Sequence, residues 1–361
     1  MKAAQFFGTR DIRVVDVAPP TPKEDEALVA IEWCGICGSD LHEYLAGPSS
    51  VPKKDAPHPL SEEHLPMTMG HEFCGRVISA PPASGLSKGQ AVMVDPRFYC
   101  GKCSRCTASH THGCKTLGLK GFHGGGGGFS DMVAVETKHC YPLPDSVDLS
   151  LAALIEPLAV AWHAVELCEI KDWSSKAVLI LGGGPIGIAH SSVLRALGCK
   201  SIFISEPTST RAAQNREVAD HVINPISEHV AERCRELTSG EGVDVVFDCA
   251  GVQKGMDAAF DALVFQGVYM NVAMWGAPMV VPVMTLLHKE IALKASVIYT
   301  DRSFRETVDA FAAGGFKGLG GMVTSRIHID DIIEKGFEEL INNKDHHIKI
   351  MVTPKNECLG Q

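Results

Sequence analysis

The run Ala177-Val178-Leu179-Ile180-Leu181, followed by Gly182-Gly183-Gly184-Pro185-Ile186-Gly187, decides how this chain is read. Five apolar residues stopped by glycine have the length and texture of a buried strand. Ile186–Leu197 then carries helical spacing and is ended by Gly198. Gly-x-Gly-x-x-Gly is a weak signal alone. Between a strand and a helix it becomes specific. The glycines permit a tight turn, let the backbone approach a pyrophosphate, and let helix and strand pack closely. The helix N-terminus then stabilises the phosphate charge. Gly182, Gly184, Pro185, Ile186 and Gly187 are therefore expected to line a dinucleotide.

Outward from that loop the same texture repeats. Ser201–Ser205, Val243–Asp248 and Gly267–Val272 read as further strands with helical segments between them. Alternation of this kind makes βαβ units and a parallel sheet. The expected fold is α/β, with a Rossmann doubly wound sheet over residues 153–295. Glu206 ends the second strand, 19 residues after Gly187. A carboxylate there accepts hydrogen bonds from ribose hydroxyls and repels a 2′-phosphate, which favours NAD over NADP. Arg211 lies close enough to keep NADP open.

Upstream, residues 1–152 carry short apolar runs split by Gly and Pro, such as Ala27–Ile31, Gly75–Ile78, Ala91–Val94 and Asp131–Val135. They predict a β-barrel-like domain. Gly47–Pro66 and Cys100–Gly128 read as long loops, which in a compact domain are usually functional. Residues 296–361 predict helices at Phe304–Ala313 and Asp330–Ile341 and a last strand at Ile348–Val352. This tail is expected to return to the first domain.

The second loop holds Cys100, Cys103, Cys106 and Cys114, spaced C-x2-C-x2-C-x7-C. Four thiolates this close can surround one tetrahedral zinc and leave no open position for catalysis. A more dispersed set consists of Cys37, Ser39, Asp40, His42, His71, Glu72 and Glu156. One thiolate, one imidazole and one or two carboxylates suit a mixed zinc site with room for substrate. Each member alone is commonplace. The dinucleotide loop gives them meaning, because hydride transfer needs a Lewis acid or general acid near the nicotinamide.

Composition narrows the classes. The chain has 361 residues, with 33 basic and 43 acidic side chains and a net charge of −10. That balance disfavours nucleic acid as a partner. No run of 18 or more apolar residues predicts a membrane span. The start, Met1-Lys2-Ala3-Ala4-Gln5-Phe6, lacks the apolar core of a signal peptide. Thirteen cysteines, an odd number, fit a reducing compartment better than a disulfide framework. A cytoplasmic location is expected.

Cys37-x-x-Asp40-x-His42, Gly70-His71-Glu72, the four-cysteine loop and the glycine loop together resemble the zinc-containing medium-chain alcohol and polyol dehydrogenases, in order and over nearly the whole chain. Within them, the stretches Gly38–Leu45, His58–Phe73 and Ile155–Val160 are most similar to 2,3-butanediol dehydrogenases. The resemblance implies a GroES-like β-barrel catalytic domain beside the Rossmann domain. It implies a catalytic zinc held by Cys37, His71 and Glu72, with Glu156 near the metal as in the polyol branch. Asp40 would orient the zinc histidine. Ser39 would take the substrate proton and pass it through the ribose hydroxyl to His42 and solvent. The implied reaction interconverts a vicinal diol and its hydroxyketone, 2,3-butanediol and acetoin, with NAD. Sorbitol, xylitol and threonine dehydrogenases share much of this pattern and remain alternatives, as does a non-catalytic NAD-binding protein. The implied assembly is a homodimer or homotetramer. The insertion Ser49–His64 is expected to shape the substrate pocket.

Overall fold

The computed structural model describes residues 1–360. In chain order its first strands are β1 (Lys2–Gly8), β2 (Asp11–Asp16), β3 (Glu26–Gly35), β4 (Met67–Thr68), β5 (Glu72–Ser79), β6 (Ala91–Val94), β7 (Arg97–Phe98), β8 (Gly118–Leu119), β9 (Met132–Glu136) and β10 (Cys140–Pro142). They are followed by β11 (Ala177–Leu181), β12 (Ser201–Ser205), β13 (His221–Ile223), β14 (Val243–Asp248), β15 (Leu263–Asn271) and β16 (Ala292–Ala295), and the chain closes with β17 (Val323–His328) and β18 (Lys349–Thr353).

These elements sort into two compact units. One comprises residues 1–156, 300–313 and 323–360; the other comprises 157–299 and 314–322. The breaks fall at Glu156 and Tyr299 rather than at residues 152 and 295. The return segment expected over 296–361 is also interrupted, because Gly314–Met322 groups with the second unit. There Leu319 and Met322 are buried and Phe316 meets Trp162 edge-on.

In the first unit, β10-β6-β5-β3-β18-β17 form one sheet, with β9 also paired to β3, and β2-β1-β4 form a second. β3 shows why. Ala27, Val29, Ile31 and Trp33 alternate inward and are buried, while Leu28, Ala30 and Glu32 between them are partly exposed. Period-two burial is the mark of a strand with one face on a core. The core joins these residues to Phe6, Phe73, Phe129, Ile350 and Val352. Each such side chain, fully buried, contributes roughly 1.5–3 kcal/mol.

The predicted helix Asp330–Ile341 is instead a 3-10 turn (Ile329–Asp331), a π-helix (Ile332–Phe337) and a short α-helix (Glu338–Asn342). Ile332 and Phe337 are both fully buried. Five residues apart, they would diverge on an α-helix; the wider π spacing brings them to one face.

In the second unit all six strands run parallel in the order β13-β12-β11-β14-β15-β16. That is the doubly wound order, with β11 at the centre where the order reverses. Val178, Leu179, Ile180 and Leu181 are all buried, as expected of a central parallel strand covered on both faces.

Candidate metal centres and dinucleotide loop

The first candidate centre is assembled by two segments of the first unit, the junction after β3 and the start of β5. β3 ends at Gly35, and the helix Gly38–Ala46 starts with Cys37 as its N-cap. Asp40, at the third helical position, accepts the Cys37 backbone N–H through Oδ2 at 2.9 Å, and the Cys37 sulfur accepts from the helix in return. This reciprocal cap fixes the thiol at the helix start. His71 and Glu72 arrive where β5 begins. Ligand atoms of Cys37, His71 and Glu72 all lie within 4.8 Å of one another.

His71 has a polar neighbour at each ring nitrogen. Its Nδ1 is 3.4 Å from Asp40 Oδ1, and its Nε2 is 3.3 Å from the Ser39 hydroxyl. Burial pulls its pKa down, but the charges of Asp40 and Cys37 outweigh this and leave it well above the ordinary value. Such an imidazole is matched to a cation that would supply the positive charge in place of a proton. The donor set fits zinc: thiolate, imidazole and carboxylate on one side, with the Ser39 hydroxyl beside them.

Glu72 has a second partner that the sequence reading overlooked. Lys349, buried at the start of β18, donates to both of its carboxylate oxygens, at 2.7 and 2.8 Å, and to the Ile36 carbonyl at 3.1 Å. Burial lowers the Lys349 pKa, yet Glu72 and Cys37 more than reverse the effect. Glu72 therefore stands between an ammonium and the candidate metal position. A lysine inside the apolar run Ile348–Val352 was the available signal.

Glu156 does not join the group. It is buried in the first turn of the helix Ile155–Glu166, and its carboxylate is not within 4.8 Å of all three ligand atoms. Its charge still reaches Lys349. His42 is exposed, one helical turn beyond Ser39.

The second candidate centre is local. Cys103–Cys106, Cys100–Cys114 and Cys103–Cys114 sulfurs are 3.6, 3.5 and 4.0 Å apart. A tetrahedral zinc with metal–sulfur bonds near 2.3 Å requires sulfurs roughly 3.8 Å apart. Backbone N–H groups of Cys103 and Thr116 point at the Cys100 and Cys114 sulfurs at 3.4 Å, as suits thiolates. The loop is anchored through Asp301, which accepts from Thr111 at 3.0 Å and from the fully buried Arg97 at 2.7 Å. Arg97 also pairs with Asp95 at 2.6 Å.

The glycine loop lies between β11 and the helix Pro185–Ala196. Gly187 has no alternative: a Cβ there would collide with the Gly182 carbonyl oxygen. Glu206 is buried at the end of β12. Its carboxylate accepts the Gly183 and Thr208 N–H groups, each at 2.8 Å. Arg211 reaches to 3.9 Å from where a Cβ on Gly184 would lie. A cleft of about 340 Å³ opens beside Glu206, Pro207, Ser209, Arg216, Val222 and Asn224. On the other side of the loop, Asp248 accepts the Ala250 and Gly251 N–H groups at 2.9 Å and the Tyr269 hydroxyl at 2.8 Å. In the sequence Asp248 is marked only as the end of an apolar strand.

Comparison with known proteins completes the assignment. Residues 23–145 match the alcohol dehydrogenase GroES-like domain, and residues 185–313 match the zinc-binding dehydrogenase family. The chain is 36% identical to the (R,R)-butanediol dehydrogenase of Neisseria gonorrhoeae, over 98% of this chain and 99% of that protein. It is also 36% identical to the (R,R)-butanediol dehydrogenase of Saccharomyces cerevisiae, over 99% of each. The crystal structure of 2R,3R-butanediol dehydrogenase from Bacillus subtilis superposes with a TM-score of 0.90 at 32% identity, covering 98% of this chain and 99% of that one. The chain belongs to the zinc-containing medium-chain alcohol and polyol dehydrogenases and is an enzyme of that kind.

Proposed function

We propose that the protein interconverts 2,3-butanediol and acetoin with NAD. The carrying observation is the convergence of Cys37, His71 and Glu72 on one ligand sphere with the Ser39 hydroxyl against it. The names of the relatives give the reading its substrate class.

Cys37, His71 and Glu72 would hold a zinc ion, which when bound polarises an alcohol or ketone oxygen and lowers the hydroxyl pKa. A dinucleotide on the glycine loop supplies the hydride acceptor or donor. The chain's own residues do the rest. Ser39 would take the substrate proton, and His42, exposed on the same helix, would pass it to solvent. Asp40 orients His71. Lys349 holds Glu72 and keeps its charge compensated whether or not it binds metal. Glu156, buried nearby, adds negative charge at the site. Cys100, Cys103, Cys106 and Cys114 would hold a second zinc that orders their loop. Glu206, already oriented by two backbone N–H groups, has lone pairs left for ribose hydroxyls. Its charge opposes a 2′-phosphate, which supports NAD.

The chain is further read as a homo-oligomer. β16 is an edge strand of the six-stranded sheet, and Leu293 on it is exposed. Val283, Met284 and Leu287 on the helix Val283–Lys289 are exposed as well, with Met274 and Val280 before it. An unpaired strand edge joined to an apolar surface suits a second copy. No helix among the described residues is long and apolar enough to cross a membrane. None of the thirteen cysteines is joined in a disulfide, which agrees with the reducing compartment read from the sequence.

A spectrophotometric NADH assay tests the central reading, with NAD or NADP against the butanediol stereoisomers, sorbitol, xylitol and threonine, with and without a zinc chelator. Chelator-sensitive, NAD-linked oxidation of one butanediol stereoisomer is expected. Preference for sorbitol or threonine would overturn the substrate.

A further inference from the structure

Glu43 is one residue past His42, and its side chain is buried with only 1% exposed. It touches neither candidate metal sphere. Its carboxylate accepts the Ser49 N–H at 2.8 Å, the Ser50 N–H at 2.7 Å and the Ser49 hydroxyl. Burial pushes its pKa up, and these bonds hold it below the ordinary carboxylate range. All of these donors stand at the start of the Ser49–His64 insertion. That strap contains no helix or strand, and a single isolated bridge joins Lys53 and Ala56.

The far end of the strap is clasped to the glycine run. The Ser61 hydroxyl donates to the His123 carbonyl at 2.5 Å, and the Gly125 N–H donates to Glu63 at 2.8 Å. Gly124 explains why the run is glycine. Its φ is +114°, and a Cβ there would lie 2.5 Å from the Ser61 hydroxyl oxygen and 3.1 Å from the Glu63 Cβ. The end of the run is in turn bonded to the turn that carries His71, through Gly128 N–H to the Gly70 carbonyl at 2.7 Å and Phe129 N–H to the Met69 carbonyl at 2.9 Å. A row of rings follows the same path. His58, His123, Phe122 and His71 have successive centroid separations of 5.3, 5.8 and 5.1 Å.

We propose that Glu43 is a positioning residue for substrate selection. It ties the near end of the strap to the helix carrying Ser39 and His42, so that strap and glycine run form one fixed wall beside His71. That wall sets how long a vicinal diol the site accepts. The inference rests on the diol reading above and adds the element that selects within that class. A buried carboxylate with three donors also serves stability, so the test needs a readout that stability alone leaves unmoved.

That readout is chain-length selectivity. Glu43→Gln keeps the size and removes the charge that gathers the three donors. In the zinc-loaded enzyme, KM for 2,3-butanediol should rise while kcat stays within about twofold. The preference in kcat/KM for 2,3-butanediol over 2,3-pentanediol should fall by about tenfold, the scale set by one methylene in a pocket. Glu43→Asp, which retains the charge, should recover part of that preference. The double variant Ser61→Ala, Glu63→Gln loosens the far clasp without touching the helix and should drift the same way; it carries the test if Glu43→Gln fails to fold. Unchanged selectivity in the variants, or an equal loss on both diols alongside a lower unfolding temperature, overturns the proposal. A wild-type enzyme that oxidises no vicinal diol overturns the functional reading instead. The same length comparison is then made on whichever alcohol series it oxidises.

Discussion

The two cysteine-bearing centres differ in how they are made. The four-cysteine loop draws every ligand from fifteen consecutive residues, its thiols are mostly half-exposed, and its sulfurs already stand near tetrahedral spacing. The Cys37–His71–Glu72 centre draws its ligands from two distant segments, and a third, carrying Lys349, competes for Glu72. His71 and Glu72 are buried there, and each has a protein partner besides the metal position. The first centre, with four thiols and no other ligand type, suits an ion that orders a loop. The second surrounds one position with mixed ligands and further protein partners, which under the proposed function suits chemistry at that position.

The largest expected effect separates the two directly. His71→Ala or Cys37→Ser should lower turnover by roughly a thousandfold or more, several kcal/mol of barrier, while NADH binding measured by fluorescence persists. Cys103→Ser should do the reverse: metal analysis should find about one fewer zinc per chain and thermal unfolding should begin earlier, while the folded fraction still turns over. If Cys103→Ser abolishes turnover and His71→Ala spares it, the division of roles is wrong.

Lys349 sharpens the contrast. Lys349→Met leaves Glu72 buried without its counter-ion, which in chelator-treated protein should cost about 3–5 kcal/mol by urea unfolding. Restoring zinc should shrink that cost, because the cation then neutralises Glu72. An equal cost with and without zinc would mean that Glu72 does not face the metal.

The smallest expected effect concerns the anchoring of the local centre. Asp95 is buried against Arg97 and His139, whose charges overcome the upward push of burial and hold its pKa well below the carboxylate range. A depressed carboxylate stabilises the fold fully above its unfolded pKa of about 3.9, and that stability is lost as pH falls below it. Asp95→Asn should cost about 3 kcal/mol at neutral pH, the low end for a broken buried pair because Asp301 still faces Arg97. It should also flatten the acid limb of stability against pH below about pH 4. An unchanged acid limb would assign that limb to other carboxylates.

The elements most legible in the sequence were those whose signals are local. β11, β12 and β14 have the expected bounds, because a central parallel strand is a short apolar run stopped by turn residues. The four cysteines announced themselves by spacing. The strand after β14 runs earlier than expected, from Leu263, and the helix expected at Asp330 is split by a π-turn. In the second place the burial of Ile332 and Phe337 overrides local spacing.

The sequence by itself determined the dinucleotide loop, the doubly wound sheet, the thiolate cluster and the family, since each is written in residues close along the chain or in a fixed order of motifs. Only the tertiary structure decided that Glu72 meets Lys349, 277 residues away, that the close ligand group is Cys37, His71 and Glu72, and that Glu43 gathers the strap which the glycine run receives. Such pairings depend on which buried charges and donors come together once the cores are packed. A buried polar group must be satisfied by whatever neighbour the fold supplies, and no spacing along the chain encodes that neighbour.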